Sequence, residues 1–271
     1  QQFDAFLIDQ FGVLLNGNGA YPFAPKALST LAATGKPILL LSNSGKRAAP
    51  NEARLTKLGF NRADYRCVLS SGEAAFTALQ RRIGDTIPKG AKVWVHARDN
   101  DTSAIDGLPL TRIDSPDTAD LILLAGSQGD SRSLAQYHML LQTAAARRVP
   151  LICTNPDIEM LTPSGTHFGA GRIASLYQSL GGPVEWIGKP HPLIYAEAAL
   201  RLPGIPAARI LCIGDSPAHD IAGGHAAGHA TALVRTGLHA DLSDADLHAL
   251  CVAERAMPDF ILRRFDGRLA P

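Results

Sequence analysis

Four short segments of this chain carry residue types that could capture and transfer an anionic group. In FLIDQFGVL, residues 6–14, an apolar run delivers one carboxylate, Asp9, and then breaks at Gly12. A carboxylate with a reference pKa of about 3.9 is ionised at neutral pH and serves as a nucleophile without activation. In LLLSNS, residues 39–44, Ser42 and the backbone N–H groups of Asn43 and Ser44 fall where an apolar run gives way to a helical pattern. That junction makes an anion cradle with a favourable dipole. In IGKP, residues 187–190, Gly188 and Pro190 hold the backbone of Lys189, whose ammonium can reach back over the same place. CIGDSPAHD, residues 212–220, ends a further apolar run in Asp215 and adds Asp220 five positions on. A carboxylate and an anionic group repel, so a hard cation with oxygen ligands is expected between them, and Mg²⁺ favours one or two carboxylates plus substrate oxygens.

Such residues need strand ends to carry them. Apolar runs at 3–9, 37–42, 66–70, 91–96, 120–125, 150–154, 184–188, 209–214, 230–235 and 259–263 read as strands. Helical patterns such as Leu134 to Arg148 and Leu193 to Leu202 fall between them. Repeated βα alternation with nearly continuous apolar strands predicts an α/β protein built on parallel sheets covered on both faces. Parallel sheets present reactive groups at their carboxyl edge, which is where Asp9 and Asp215 fall. The 147 positions between Ser42 and Lys189 exceed what one crossover needs, so a second folding unit is expected between them. The predicted insertion runs from 87 to 182, entered after a helix from Glu73 to Ile83 through the IPKG turn and left through Gly181, Gly182 and Pro183. Residues 1–86 and 183–271 then form the two parts of the core.

The order, spacing and strand context of the four segments resemble the four signature motifs of the haloacid dehalogenase-like (HAD) superfamily of phosphohydrolases. The segments SSGEAA (70–75), CTNPD (153–157) and GAG (169–171) extend the resemblance to class IIA, the NagD-like and p-nitrophenyl phosphatase-like branch. The resemblance implies a Rossmann-like parallel-sheet core with an inserted α/β cap of the C2 type. It implies a Mg²⁺ site made by Asp9, the backbone carbonyl of Phe11, Asp215 and Asp220, and a Lys189 that spans nucleophile and phosphate. Arg47 matches an arginine common after the cradle, and Asn155 and Asp157 lie on the cap's substrate-facing loop.

One position departs from that pattern. The usual first motif reads DxDGV or DxDGT, and its second aspartate protonates the leaving group; here the position is Phe11. Phenylalanine exchanges no protons, a loss typically worth roughly 10²- to 10⁴-fold in rate. His219, beside Asp220, is a candidate proton shuttle, since imidazole titrates near working pH. Three readings stand at this point: a phosphohydrolase with weakened general-acid catalysis, a dehalogenase- or phosphonatase-like hydrolase, and a protein that binds a phosphorylated ligand with residual turnover. Halide displacement needs no metal, so retention of Asp215 and Asp220 favours phosphorus chemistry.

At 271 residues and 46% hydrophobic content the chain can bury both units, and a formal net charge of +1 gives no footprint for nucleic acid or anionic lipid. A small phosphorylated metabolite is the expected partner, and the resemblance, in whose members such caps often form dimer contacts, implies a homodimer. No apolar stretch reaches the roughly 18 residues of a membrane helix. The separated Cys67, Cys153, Cys212 and Cys251 read as core thiols of a cytoplasmic protein, although the chain starts at Gln1 without methionine. His225 and His229 are four apart but lack the glutamate of a zinc motif. Trp94 and Trp186 read as packing residues.

Overall fold

The computed structural model describes residues 2–98, 101–162 and 165–266. The chain runs through β1 (Ala5–Asp9), β2 (Leu15–Asn16), β3 (Gly19–Ala20), α1 (Ala24–Ala32), β4 (Ile38–Ser42), α2 (Ala48–Lys57), β5 (Cys67–Ser70) and α3 (Ser71–Arg82). It continues with β6 (Lys92–His96), β7 (Thr111–Ile113), β8 (Leu121–Leu124), α4 (Leu134–Ala146), β9 (Leu151–Cys153), β10 (Glu159–Thr162), β11 (Gly165–Phe168), α5 (Ala170–Ser179) and β12 (Val184–Trp186). It closes with α6 (Pro192–Leu200), β13 (Ile210–Gly214), α7 (Ala222–Ala226), β14 (Ala230–Val234), α8 (Asp244–Ala253) and β15 (Phe260–Leu262).

These elements form two compact units. The first, residues 1–42, 48–69 and 189–271, is built on a six-stranded sheet of order β15-β14-β13-β1-β4-β5. Strand β1 pairs in parallel with β13 on one side and β4 on the other, in registers that set Ile8 beside Ile213 and Asp9 beside Leu41. The chain moves outward from β1 to β4 and β5 and later returns to the other side at β13. That reversal opens a crevice at the carboxyl ends of β1 and β13, the place where open α/β sheets bind ligands. Phe6, Ile8, Leu40 and Ile213 on one face of the sheet pack with Leu28 and Leu31 of α1 and Leu55 of α2. Burying each such side chain is worth about 1.5–3 kcal/mol.

The second unit, residues 43–47 and 70–188, has its own parallel sheet of order β12-β9-β8-β6-β7 and an antiparallel hairpin, β10-β11. Its core joins Ile122, Leu124 and Leu151 to Tyr137 of α4 and Tyr177 of α5. Both phenols are fully buried and both are bonded: Tyr177 donates to the Val149 carbonyl at 2.6 Å, and the Tyr137 oxygen meets His96 Nε2 at 2.7 Å. Helix α4 starts at a capping box, with Ser133 accepting from the Gln136 N–H and the Gln136 side chain accepting from the Ser133 N–H. Helix α3, read from sequence as the last element before the insertion, clusters with this unit. The α/β architecture with parallel sheets is as the sequence predicts. Residues 267–271 of the expected second core segment lie outside the described residues.

All four cysteines are free thiols, three of them buried. Among the described residues no helix is long and apolar enough to cross a membrane.

Candidate active site

At the carboxyl edge of the first unit, β1 ends in Asp9, β4 ends in Ser42, and Asp215 follows directly on β13. One carboxylate oxygen from each of Asp9, Asp215 and Asp220 lies within 4.8 Å of the others, the one such cluster of possible metal ligands among the described residues. Lys189 Nζ donates to Asp9 Oδ1 at 2.6 Å and to Asp220 Oδ1 at 2.7 Å, and its side chain is only 5% exposed. Asp220 Oδ2 accepts from the Ser216 N–H at 3.1 Å, and Asp215 Oδ2 accepts from the Leu238 N–H at 2.9 Å.

Glycines make this convergence sterically feasible. Gly12 has φ +81°, in the left-handed region, and a Cβ there would fall on the Asp215 carboxylate. Gly237, also at φ +81°, touches the same carboxylate from the loop after β14. A Cβ on Gly214 would strike the Asp220 carboxyl group.

Three carboxylates face one ammonium with water largely excluded, so ionising all three leaves negative charge uncompensated. Burial, followed by the charge of Asp220, pushes the Asp215 carboxyl up to about 7. Burial likewise raises Asp9 well above the ordinary carboxylate range, with Asp220 and Asp215 adding to it and Lys189 opposing. Burial works against the Lys189 charge, yet Asp220 and Asp9 outweigh it and hold the ammonium above the usual lysine range. Oxygen donors only, an excess of negative charge and close spacing fit a hard divalent cation.

The remaining expected residues are distributed as follows. Ser42 is buried at the end of β4, one residue past the level of Asp9. Asn43, Ser44, Arg47, Asn155 and Asp157 belong to the second unit. There Asn43 Nδ2 donates to Asp157 Oδ1 at 2.8 Å, and Asn155 Oδ1 accepts from the Asp157 N–H at 3.1 Å, closing its own turn. Arg47 is bound by Glu73 in two hydrogen bonds, at 2.6 and 3.2 Å, and its guanidinium lies 3.4 Å over the Phe76 ring. The helix dipole expected at the cradle is displaced, because α2 starts only at Ala48. Residues 43–47 are an irregular loop whose Gly45 packs against the Ala125 backbone and whose path leaves no room for a Cβ at Gly72. His219 sits in a turn from Pro217 to Ile221, its N–H donating to Ser216 Oγ at 3.3 Å and its carbonyl accepting from Tyr195 Oη at 3.4 Å. Burial, and then the charge of His219, lower the pKa of His191. Phe11 is 47% exposed, with the Arg54 guanidinium 5.2 Å from its ring centre. His225 is bound by Thr231 and Asp259, and His229 by the Ala207 carbonyl.

Sequence comparison accounts for this arrangement. A family model described as haloacid dehalogenase-like hydrolase matches residues 6–110, and a second, HAD-hydrolase-like, matches residues 186–265. The chain is 32% identical to sugar-phosphatase AraL of Bacillus subtilis, over 85% of this chain and 82% of that one. It belongs to the haloacid dehalogenase-like hydrolases. Within that family it falls in class IIA and is a hydrolase acting on phosphate esters. The p-nitrophenyl phosphatase from Archaeoglobus fulgidus superposes with a TM-score of 0.80 at 25% identity, covering 98% of both chains. A glycerol phosphate phosphatase from Mycobacterium tuberculosis in complex with magnesium shares the fold, with a TM-score of 0.77 at 22% identity over 98% of this chain and 77% of that one.

Two features around the ends of β1 and β13 carry no sequence signal. Gly237 and Leu238 approach Asp215 from a loop with no motif character, and Arg54 lies on a helix face that reads as solvated. Only their tertiary neighbours distinguish them.

Proposed function

We propose that this chain hydrolyses a small phosphorylated metabolite with Mg²⁺, through a phosphoenzyme formed on Asp9, and without a carboxylic acid beside the leaving oxygen. The observation that carries this reading is the Asp9, Asp215 and Asp220 cluster bridged by Lys189. Asp9 attacks phosphorus as the ester P–O bond breaks, giving an aspartyl-phosphate and the leaving oxyanion, which takes its proton from solvent or from His219; water then attacks the phosphorus, releasing inorganic phosphate and restoring the carboxylate. Asp215, Asp220 and Asp9 would hold the cation, with the Phe11 carbonyl as a further ligand by family resemblance. A bound divalent ion neutralises the repulsion between carboxylate and phosphate dianion. Lys189 keeps Asp9 oriented and adds positive charge beside the transferring oxygens, while the Ser42 hydroxyl and the N–H groups of Asn43 and Ser44 bind the phosphoryl oxygens.

Phe11 supplies no proton, so leaving oxygens stable as anions depart fastest. Aryl and enol phosphates are therefore the favoured esters and simple alkyl phosphates the poor ones. For alcohols that need a proton we assign the relay to His219, and His219→Asn should lower alkyl turnover more than aryl turnover. A phosphatase panel with Mg²⁺, beside an Asp9→Asn control, tests the reading. Aryl turnover that depends on Asp9 and exceeds alkyl turnover supports it; no Asp9-dependent release of phosphate from any ester rejects it.

A further inference from the structure

Arg54 is a largely buried cation that has no carboxylate partner among the described residues. Its Nη2 donates to Gln10 Oε1 at 2.9 Å and to Asn51 Oδ1 at 3.3 Å, both neutral amide oxygens. Its Nε is buried without any hydrogen-bond partner, and burial lowers its pKa. Arginines elsewhere in the chain are treated differently: Arg47, Arg82, Arg98, Arg201 and Arg209 each face an acidic side chain at 2.6–2.8 Å. Withdrawing a charge from water costs several kcal/mol unless an opposite charge meets it, and amide oxygens solvate a guanidinium without neutralising it.

The location of this cation gives it meaning. Gln10 and Phe11 are the two residues that follow Asp9, and the Arg54 guanidinium touches the first and lies over the ring of the second. Gln10 is fully buried, its Oε1 taken by the guanidinium and its Nε2 without a partner. Phe11, by contrast, is half-exposed in a loop whose other members are buried. An aromatic face at the solvent boundary with an uncompensated guanidinium against it suits a planar anionic group, which gains a charge-assisted hydrogen bond and stacking together.

We propose that Arg54 and Phe11 form a subsite for a second anionic group, carried by the alcohol portion of the phosphate ester. The substrate class is then a phosphomonoester that also bears a carboxylate or a second phosphate. This inference rests on the phosphatase reading given above and deepens it. A charge-assisted hydrogen bond of about 1.5–3 kcal/mol corresponds to a preference of roughly ten- to hundredfold.

The test compares 4-carboxyphenyl phosphate with its neutral isostere, 4-carbamoylphenyl phosphate, and with the bisphosphate of hydroquinone. The expected result is a kcat/KM at least about tenfold higher for the charged esters, expressed mainly in KM, that collapses to near unity in Arg54→Met and is partly kept in Arg54→Lys. The order of the two charged esters identifies which anion the subsite prefers. Equal kcat/KM for carboxylate and carboxamide, or a preference that survives Arg54→Met, overturns the proposal. Calorimetric binding of the same esters to the Asp9→Asn protein with Mg²⁺ reads the subsite without turnover. Thus, if hydrolysis itself fails, a carboxylate preference in binding that Arg54→Met removes still upholds the subsite, and equal affinities reject it.

Discussion

Lys189 Nζ stands between Asp9 Oδ1 and Asp220 Oδ1 at 2.6 and 2.7 Å, joining residues 180 and 31 positions away in sequence. One ammonium thus holds the Asp9 carboxylate and links it to the loop after β13. Removing the charge leaves two buried carboxylates facing each other. Lys189→Met should lower stability by about 3–5 kcal/mol in the metal-free protein and reduce turnover at least as severely as loss of an oxyanion donor, roughly 10²–10³-fold. Urea denaturation with chelator and steady-state kinetics with Mg²⁺ measure the two effects, and an unchanged midpoint would refute the first.

A second expectation concerns pH. The Asp215 carboxyl is pushed up to about 7, first by burial and then by Asp220, against about 3.9 in an unfolded chain. Between those values the folded state holds a proton that the unfolded state has released, so the metal-free fold loses stability as pH rises through this window. A divalent ion bound at this cluster would take the place of that proton. Thermal melts should therefore show Tm falling from about pH 5 to pH 8 in chelator, and a stabilisation by Mg²⁺ that grows over the same interval. A Mg²⁺ effect larger at pH 5 than at pH 8 would contradict the assignment.

Gly12 tests the geometry around the same carboxylate. With φ +81° and the Asp215 oxygens where its Cβ would go, Gly12→Ala must displace Asp215. The Mg²⁺ concentration for half-maximal activity should rise about 10–100-fold, the usual range for disturbing the support of a metal ligand. Titration of activity and of Tm with Mg²⁺ should shift together; a shift in neither rules the contact out.

Restoring the acid at position 11 should depend on Arg54. With the guanidinium 5.2 Å from the Phe11 ring centre, a carboxyl placed there by Phe11→Asp would be held ionised and donate protons poorly. The gain in alkyl ester turnover, up to about 10²–10⁴-fold for an effective general acid, should be larger in the Arg54→Met background than with Arg54 present. Equal gains in both backgrounds would show that Arg54 does not control that position.

The second unit has its own check. Tyr137→Phe removes the hydroxyl that meets His96 Nε2 at 2.7 Å and accepts from the Gln128 N–H at 3.1 Å. Two polar groups lose a partner, one of them His96, whose pKa burial, then Arg132, holds down to about 4. A stability loss of about 1–3 kcal/mol is expected in urea denaturation followed by a probe within residues 70–188. A loss below about 0.5 kcal/mol would mean the hydroxyl is dispensable.

Much of the architecture is legible in the sequence because buried parallel strands are apolar throughout and end abruptly. All ten predicted strands appear, β1 and β13 among them, and their ends locate Asp9 and Asp215. Strands β2, β3 and β7 escape because two or three residues carry no periodicity, and the β10-β11 hairpin because EMLT and GTHF mix polarity. The early start expected for α2 fails at Gly45, which lies in a bend so close to the Ala125 backbone that no Cβ fits. Arg54 is invisible for a different reason. An arginine on an amphipathic helix reads as solvated, and its isolation from carboxylates exists only once Gln10 and Asn51 are folded against it.

The division of the first unit into residues 1–42, 48–69 and 189–271 has a consequence for biosynthesis. Asp9 emerges from the ribosome first, while Lys189, Asp215, Asp220 and Gly237 follow only after roughly 180 further residues have been made, tens of seconds at the slower translation rates. The intervening segment 70–188 can complete its own sheet in that time. Through that interval the nascent chain carries Asp9 without the ammonium and the two carboxylates that meet it in the folded unit.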